Sequence, residues 1–184
     1  AVLKNIQFLT LYTFSTENWK RPKKEINFLM NLLEKYIQKE LNSLINKKVK
    51  LKIIGNINKF PITLKKKLKN QKKQIKFNKS TQIKIALNYG TKEEIVSSVK
   101  KLKKLNIPIN EKNITKNLYT GNIPDPEILI RTGDRKRLSN FLLWQSSYSE
   151  LYFEKKLWPD FTKKDFKKII LNFSKVRRNF GAIK

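Results

Sequence analysis

Short apolar, strand-forming runs alternate with segments whose apolar residues recur every three or four positions, and that alternation constrains the fold more than anything else in the chain. Residues 6–14 (IQFLTLYTF) are apolar almost throughout, the pattern of a strand covered on both faces. Pro22 suits the first turn of a helix. Behind it Ile26, Leu29, Met30, Leu33, Ile37, Leu41 and Leu44 make one stripe at helical spacing. Phe28, Leu32 and Tyr36 widen the stripe, so this helix is expected to have two apolar surroundings. Residues 49–54 (VKLKII) predict a strand, 62–77 a Lys-rich helix, 82–87 (QIKIAL) a strand, 92–104 an amphipathic helix and 110–118 a short one. After the turn GNIPDP, residues 127–133 (EILIRTG) predict a short buried strand, 150–153 (ELYF) a last one, and 162–180 a C-terminal helix. Strands alternating with helices predict an α/β fold, a single domain over residues 1–184 with a mostly parallel central sheet flanked by helices.

In such sheets ligands bind beyond the carboxyl ends of the strands. The polar clusters fall there: STENWKR after the first strand, GNINK after the second, NYG after the third and RTGDRKR after the fourth. In the first cluster an apolar run stops abruptly at Ser15, Thr16, Glu17, Asn18, Trp19 and Arg21. A strand end followed by a helix cap accounts for the Ser, Thr and Asn. A loop holding an anionic, partly apolar substrate accounts for the Trp and Arg as well. For Thr16 and Asn18 both readings stay open.

The chain has 42 Lys and Arg against 14 Asp and Glu, a formal charge of +28 that suggests a polyanionic partner. The Lys residues accompany abundant Asn and Ile, all with A/T-rich codons, so base composition accounts for the charge equally well. A nucleic-acid-binding protein would interleave stacking aromatics with Lys on an exposed face. With neither Cys nor His, disulfides, thiolate chemistry and imidazole acid–base or metal chemistry are excluded. A cytoplasmic location is the expectation, open to peripheral association with an anionic membrane.

Five stretches carry a family resemblance: LTLYTFSTENWKRPKKEINFLM, IIGNINKFP, LNYGTKEEIV, PDPEILIRTG and RLSNFLLWQSSYSELYFEKKLWPDF, in that order over about residues 6–166, with a weaker echo in RRNFG. They resemble the cis-prenyltransferases, specifically the undecaprenyl diphosphate synthases. The resemblance implies an enzyme that condenses isopentenyl diphosphate with an allylic diphosphate, usually farnesyl diphosphate, to a long cis-polyprenyl diphosphate that in bacteria carries cell-wall glycan. It implies a homodimer, a Mg²⁺ requirement, and an apolar product tunnel formed by residues 6–14, the stripe at 26–44 and the strands near 51 and 83.

By the same resemblance Arg131, Arg137, Leu138 and Ser139 bind isopentenyl diphosphate, and Glu150 is the Mg²⁺ ligand. Arginine suits that task because its planar fork bonds two phosphate oxygens at once. Ser15, Thr16, Glu17, Trp19 and Arg21 match substrate-contacting positions of a closing loop, and Asn18 matches the residue assigned to assist proton removal. An amide is a poor base, so Asn18 is expected to position substrate or water.

The sequence departs from the family at three places. The N-terminal stretch MDGNGRW, with its metal-binding Asp and phosphate loop, does not occur in it. Residues are therefore expected to be missing upstream, and the chain as given is expected to be inactive alone. Asp134, Arg135 and Lys136 stand where the family carries an acidic and polar sequence, and Asn179 stands where it carries an Arg, for which Arg178 is the substitute at hand. A noncatalytic subunit of a heteromeric enzyme is the alternative within the family. Such subunits tend to lose the loop at 15–19 and keep the terminal Arg, the reverse of this chain.

Overall fold

The computed structural model describes residues 6–46, 49–74 and 81–180, with the side chains at 37, 38, 40–46 and 69–74 outside that description. The side chains of the stripe positions Ile37, Leu41 and Leu44 and the 75–77 end of the expected Lys-rich helix thus lie outside that description. The chain divides into two compact units, at Ile123 and Pro124.

In the first unit three parallel strands stand in the order β1 (Phe8–Ser15), β3 (Gln82–Tyr89), β2 (Lys50–Ile54). Crossovers through α1 (Lys23–Asn46) and α2 (Ile62–Gln74) make the parallel pairing possible. α3 (Thr91–Lys104) and α4 (Glu111–Asn117) follow β3. Strand periodicity sends alternate β3 residues to opposite faces. Ile85 and Leu87 join Phe14, Met30, Phe60, Leu64 and Leu68 in one apolar cluster, against which Trp19, Ile26, Leu29, Leu33, Leu51 and Ile53 pack. The elements expected to form a tunnel thus gather around a common packed cluster. The widened side of α1 differs from expectation: Phe28, Leu32 and Tyr36 are exposed in the single chain, so one apolar surrounding is present and the other face is open.

The opposite face of β3 carries Lys84 and Ala86, both buried. A lysine in an alternating strand is ordinarily a solvated one. Here the Lys84 ammonium donates to the Tyr119 carbonyl at 3.5 Å, and Glu94 of α3 accepts from the Tyr89 hydroxyl at 2.5 Å and the Tyr119 N–H at 2.7 Å.

In the second unit β4 (Ile128–Arg131) and β5 (Glu150–Phe153) pair in parallel, Ile128 opposite Glu150 and Arg131 opposite Phe153. Among the described residues the strands therefore form two parallel sheets, one of three strands and one of two. Residues 138–148 run through successive turns that bury Leu142 and Gln145. α5 (Lys163–Phe173) starts at Thr162, whose hydroxyl accepts from the Asp165 N–H at 3.3 Å while Asp165 Oδ2 accepts from the Thr162 N–H at 2.8 Å. It ends seven residues short of the expected 180. Beyond it Arg178 is tied back to the Glu127 carboxylate at 3.2 Å and the Tyr148 carbonyl at 2.9 Å, which a continuing helix would not permit. Among the described residues no helix is long and apolar enough to cross a membrane.

Candidate active site

Each unit carries a cluster of the residues singled out by the sequence. In the first, Ser15 ends β1 and a single 3-10 turn, Thr16–Lys20, follows. The Ser15 N–H donates to Asn18 Oδ1 at 2.8 Å, so the amide oxygen of Asn18 caps the turn. The Thr16 hydroxyl donates to Glu17 Oε2 at 3.1 Å. Arg21 pairs with Glu25 at 2.5 Å across one helical turn, both side chains close to half exposed. Exposed pairs of this kind contribute only about 0–1 kcal/mol, so an arriving anion can take the guanidinium from Glu25. Trp19 is turned inward, its ring edge-on to Phe14 at 5.2 Å and to Phe60 at 5.8 Å.

The turns after β2 and β3 meet this loop. Gly55 sits at φ 99°, and a Cβ there would stand 2.2 Å from the Leu87 carbonyl oxygen, so only glycine lets the two backbones approach. The Asn56 N–H donates to the Asn88 carbonyl at 3.2 Å. Asn88 in turn accepts the Trp19 indole N–H at 2.7 Å and donates to the Asn56 carbonyl at 2.5 Å. Burial raises the Glu93 carboxyl pKa at the start of α3, opposed by a hydrogen bond from Asn56. Three of the four clusters expected at the carboxyl ends of strands thus form one connected rim. Asn88 and Asn56 were not among the residues singled out. Their signal in the sequence is the Gly-Asn pair just after β2 and the Asn before the last residue of β3, where Gly55 and Asn88 take left-handed backbone.

In the second unit the Arg131 guanidinium, at the carboxyl end of β4, donates to Ser139 Oγ at 2.6 Å and to the Arg137 carbonyl. Burial lowers the Arg131 pKa, and the nearby Arg137 and Arg135 charges lower it further. Like charges gathered this way leave a site that an anion relieves. Ser139, Asn140 and Leu142 all have φ between 47° and 61°, left-handed conformations that cost free energy and concentrate at binding loops. The Leu138 carbonyl accepts from the Phe141 N–H at 3.0 Å and closes the turn.

Glu150 stands at the other end of this ladder. It opens β5 opposite Ile128, three positions from the residue opposite Arg131, about 10 Å along the strands. Among the described residues no three His, Cys, Asp or Glu side chains gather as a metal cage. One carboxylate nevertheless fits Mg²⁺ at a diphosphate site, where the ion takes most of its shell from phosphate oxygens and water. Arg178, with its guanidinium 4.4 Å from the Phe180 ring centre and bonded to Glu127, is held within its own unit.

Comparison with known proteins adds four findings. The profile of the family described as "Putative undecaprenyl diphosphate synthase" matches residues 1–181. An isoprenyl transferase from Thermotoga maritima is 45% identical over 184 residues, covering 97% of this chain and 78% of that protein. Among solved structures, "a probable undecaprenyl diphosphate synthase" from Campylobacter jejuni superposes with a TM-score of 0.90 at 37% identity, covering 98% of this chain and 86% of that one. Lavandulyl diphosphate synthase from Lavandula x intermedia, solved with dimethylallyl diphosphate, gives a TM-score of 0.90 at 29% identity, covering 98% of this chain and 81% of that one.

Proposed function

The chain belongs to the undecaprenyl diphosphate synthase family of isoprenyl transferases, and we propose that within it this protein condenses isopentenyl diphosphate with farnesyl diphosphate to a long cis-polyprenyl diphosphate. In each round the allylic C–O bond to diphosphate breaks, isopentenyl C4 bonds to the allylic carbon, and a proton leaves isopentenyl C2 to give the new double bond. The protein must neutralise diphosphate oxygens and keep water from the cationic carbon. Arg131, Arg137 and Ser139, with Leu138 beside them, hold the isopentenyl diphosphate. Ser15, Thr16, Glu17 and Arg21 contact the allylic substrate, and Trp19 shields the reacting carbons. Asn18 positions substrate or water while the proton passes to a diphosphate oxygen. Glu150 is the protein ligand of Mg²⁺, which when bound supplies charge neutralisation at the diphosphate. A cytoplasmic homodimer at an anionic membrane surface, making the undecaprenyl carrier for cell-wall glycan, completes the proposal.

The observation that carries the isopentenyl assignment is the Arg131 guanidinium, part-buried, held by Ser139 and crowded by two further guanidinium charges. A nucleic-acid-binding role is not favoured: the relatives are isoprenyl transferases, and Phe14 and Phe60 are buried with Trp19 packed against them, although Phe28, Tyr36 and Trp158 are exposed. The test is calorimetric titration with isopentenyl diphosphate, followed by turnover with farnesyl diphosphate, labelled isopentenyl diphosphate and Mg²⁺. Saturable binding that Arg131→Ala abolishes, with label in long-chain product, is expected. No binding, or binding without incorporation by the full gene product, overturns it.

A further inference from the structure

Asn88, the residue before the last of β3, lies at φ 47°, a conformation that costs a non-glycine residue free energy. Its side chain is held at both ends: Oδ1 accepts the Trp19 indole N–H at 2.7 Å, and Nδ2 donates to the Asn56 carbonyl at 2.5 Å. The orientation of the amide is forced. An indole only donates and a carbonyl only accepts, so the flipped amide would set donor against donor and acceptor against acceptor. The residue is 5% exposed, and a buried hydrogen bond broken on one side leaves its partner unsatisfied. One side chain on the central strand thus links the loop after β1 to the turn after β2, across 69 and 32 residues of sequence. Phe14 and Phe60 set how deep the Trp19 ring lies. Edge-on aromatic packing tolerates rotation of the ring, whereas a hydrogen bond to the indole N–H fixes its direction.

We propose that Asn88 is a positioning residue for the substrate loop: it aims the Trp19 indole, and through it holds the Thr16–Lys20 turn in the shape that receives the allylic diphosphate. The kinetic consequence rests on the function proposed above; the structural clamp does not. A residue serving only the backbone at the end of β3 would be replaceable by glycine, which takes φ 47° freely. Asn88→Gly therefore keeps the backbone and deletes both side-chain hydrogen bonds. Trp19→Phe keeps an aromatic ring and deletes the indole N–H together with part of the ring volume.

The experiment uses the full chain labelled with ¹⁵N-Trp, with the Trp19 indole resonance assigned by its loss in Trp19→Phe. In the parent the Trp19 indole proton is expected to exchange slowly with water. In Asn88→Gly its resonance shifts and its exchange quickens, with the far-UV circular dichroism unchanged. With the allylic diphosphate, KM rises roughly tenfold while kcat changes less. The double variant is no worse than the poorer single one, because both remove the same bond. An unmoved Trp19 resonance in Asn88→Gly, or kinetic effects that simply add, overturns the proposal. If the full gene product turns over no isoprenoid diphosphate, the proposed function fails while the indole resonance still decides the clamp. Should Asn88→Gly not fold, a folded Trp19→Phe with the parent's KM overturns it, and a raised KM with kcat retained supports it.

Discussion

Arg131 Nη1 stands 2.6 Å from Ser139 Oγ, so the last residue of β4 is tied to a residue eight positions on, across the loop that carries Asp134, Arg135 and Lys136. The bond holds the guanidinium before any ligand arrives, which reduces the ordering cost of binding.

Replacing the planar fork with a point charge should therefore matter even when charge is kept. Arg131→Lys is expected to raise the isopentenyl diphosphate KM about tenfold, and Arg131→Ala about a hundredfold. Ser139→Ala adds no bulk at its φ of 47° and removes only the hydroxyl, so about threefold is expected. Initial-rate kinetics measure all three. An Arg131→Lys variant as good as the parent would show that no bidentate contact is made there.

Lys84 gives the protein a pH-dependent stability. Burial pushes its ammonium pKa down from 10.5 to about 8, with Lys52 and Lys50 adding repulsion and Glu94 opposing them. Below pH 8 both native and unfolded chains hold the proton, and the full burial penalty is present. Between about 8 and 10.5 the unfolded chain holds a proton that the native one has released, so stability rises with pH, by up to about 3 kcal/mol. Lys84→Met should be more stable than the parent at pH 7, by about 1–3 kcal/mol, and should lose that rise. Urea midpoints from pH 7 to 10 test it; parallel curves for the two proteins would refute the assignment.

Gly55→Ala should be among the most disruptive single methyl additions in the first unit. Its Cβ would meet backbone, not a movable side chain, 2.2 Å from the Leu87 carbonyl oxygen, and φ would remain at 99°. A loss of more than about 2 kcal/mol is expected. Because the Asn56–Asn88 link lies one residue away, the Trp19 indole should also become more exposed, a change visible by fluorescence quenching. A variant with the parent's melting temperature would mean that the turn can open without cost.

Much of the fold was legible because its determinants are local. The apolar run at 6–14 and the stripe behind Pro22 each act within a few residues, so β1, α1 and α4 appear close to where the period puts them, whereas α5 follows its expected span only as far as Phe173. The convergence of STENW, GNINK and NYG was legible too, since parallel strands joined by helices must bring their carboxyl ends to one edge. The depth of Lys84 was not. Alternation in QIKIAL assigns its side chain to the face opposite Ile85, but only the packing of α3 and the chain around Tyr119 makes that face an interior.

The sequence by itself determined the order of elements and the chemistry at the strand ends, guanidinium, hydroxyl, indole and carboxylate, because periodicity and residue type are written locally. Tertiary structure decided which of those groups meet. Asn88 finds Trp19 and Asn56, Arg131 finds Ser139, and Glu150 falls at the far end of the ladder from Arg131. The first of these relations follows from register and turn geometry across tens of residues, the last from the direction in which two strands pair. Hydrogen-bond partners at such separations are selected by backbone position after folding, and no pattern within a single segment encodes them.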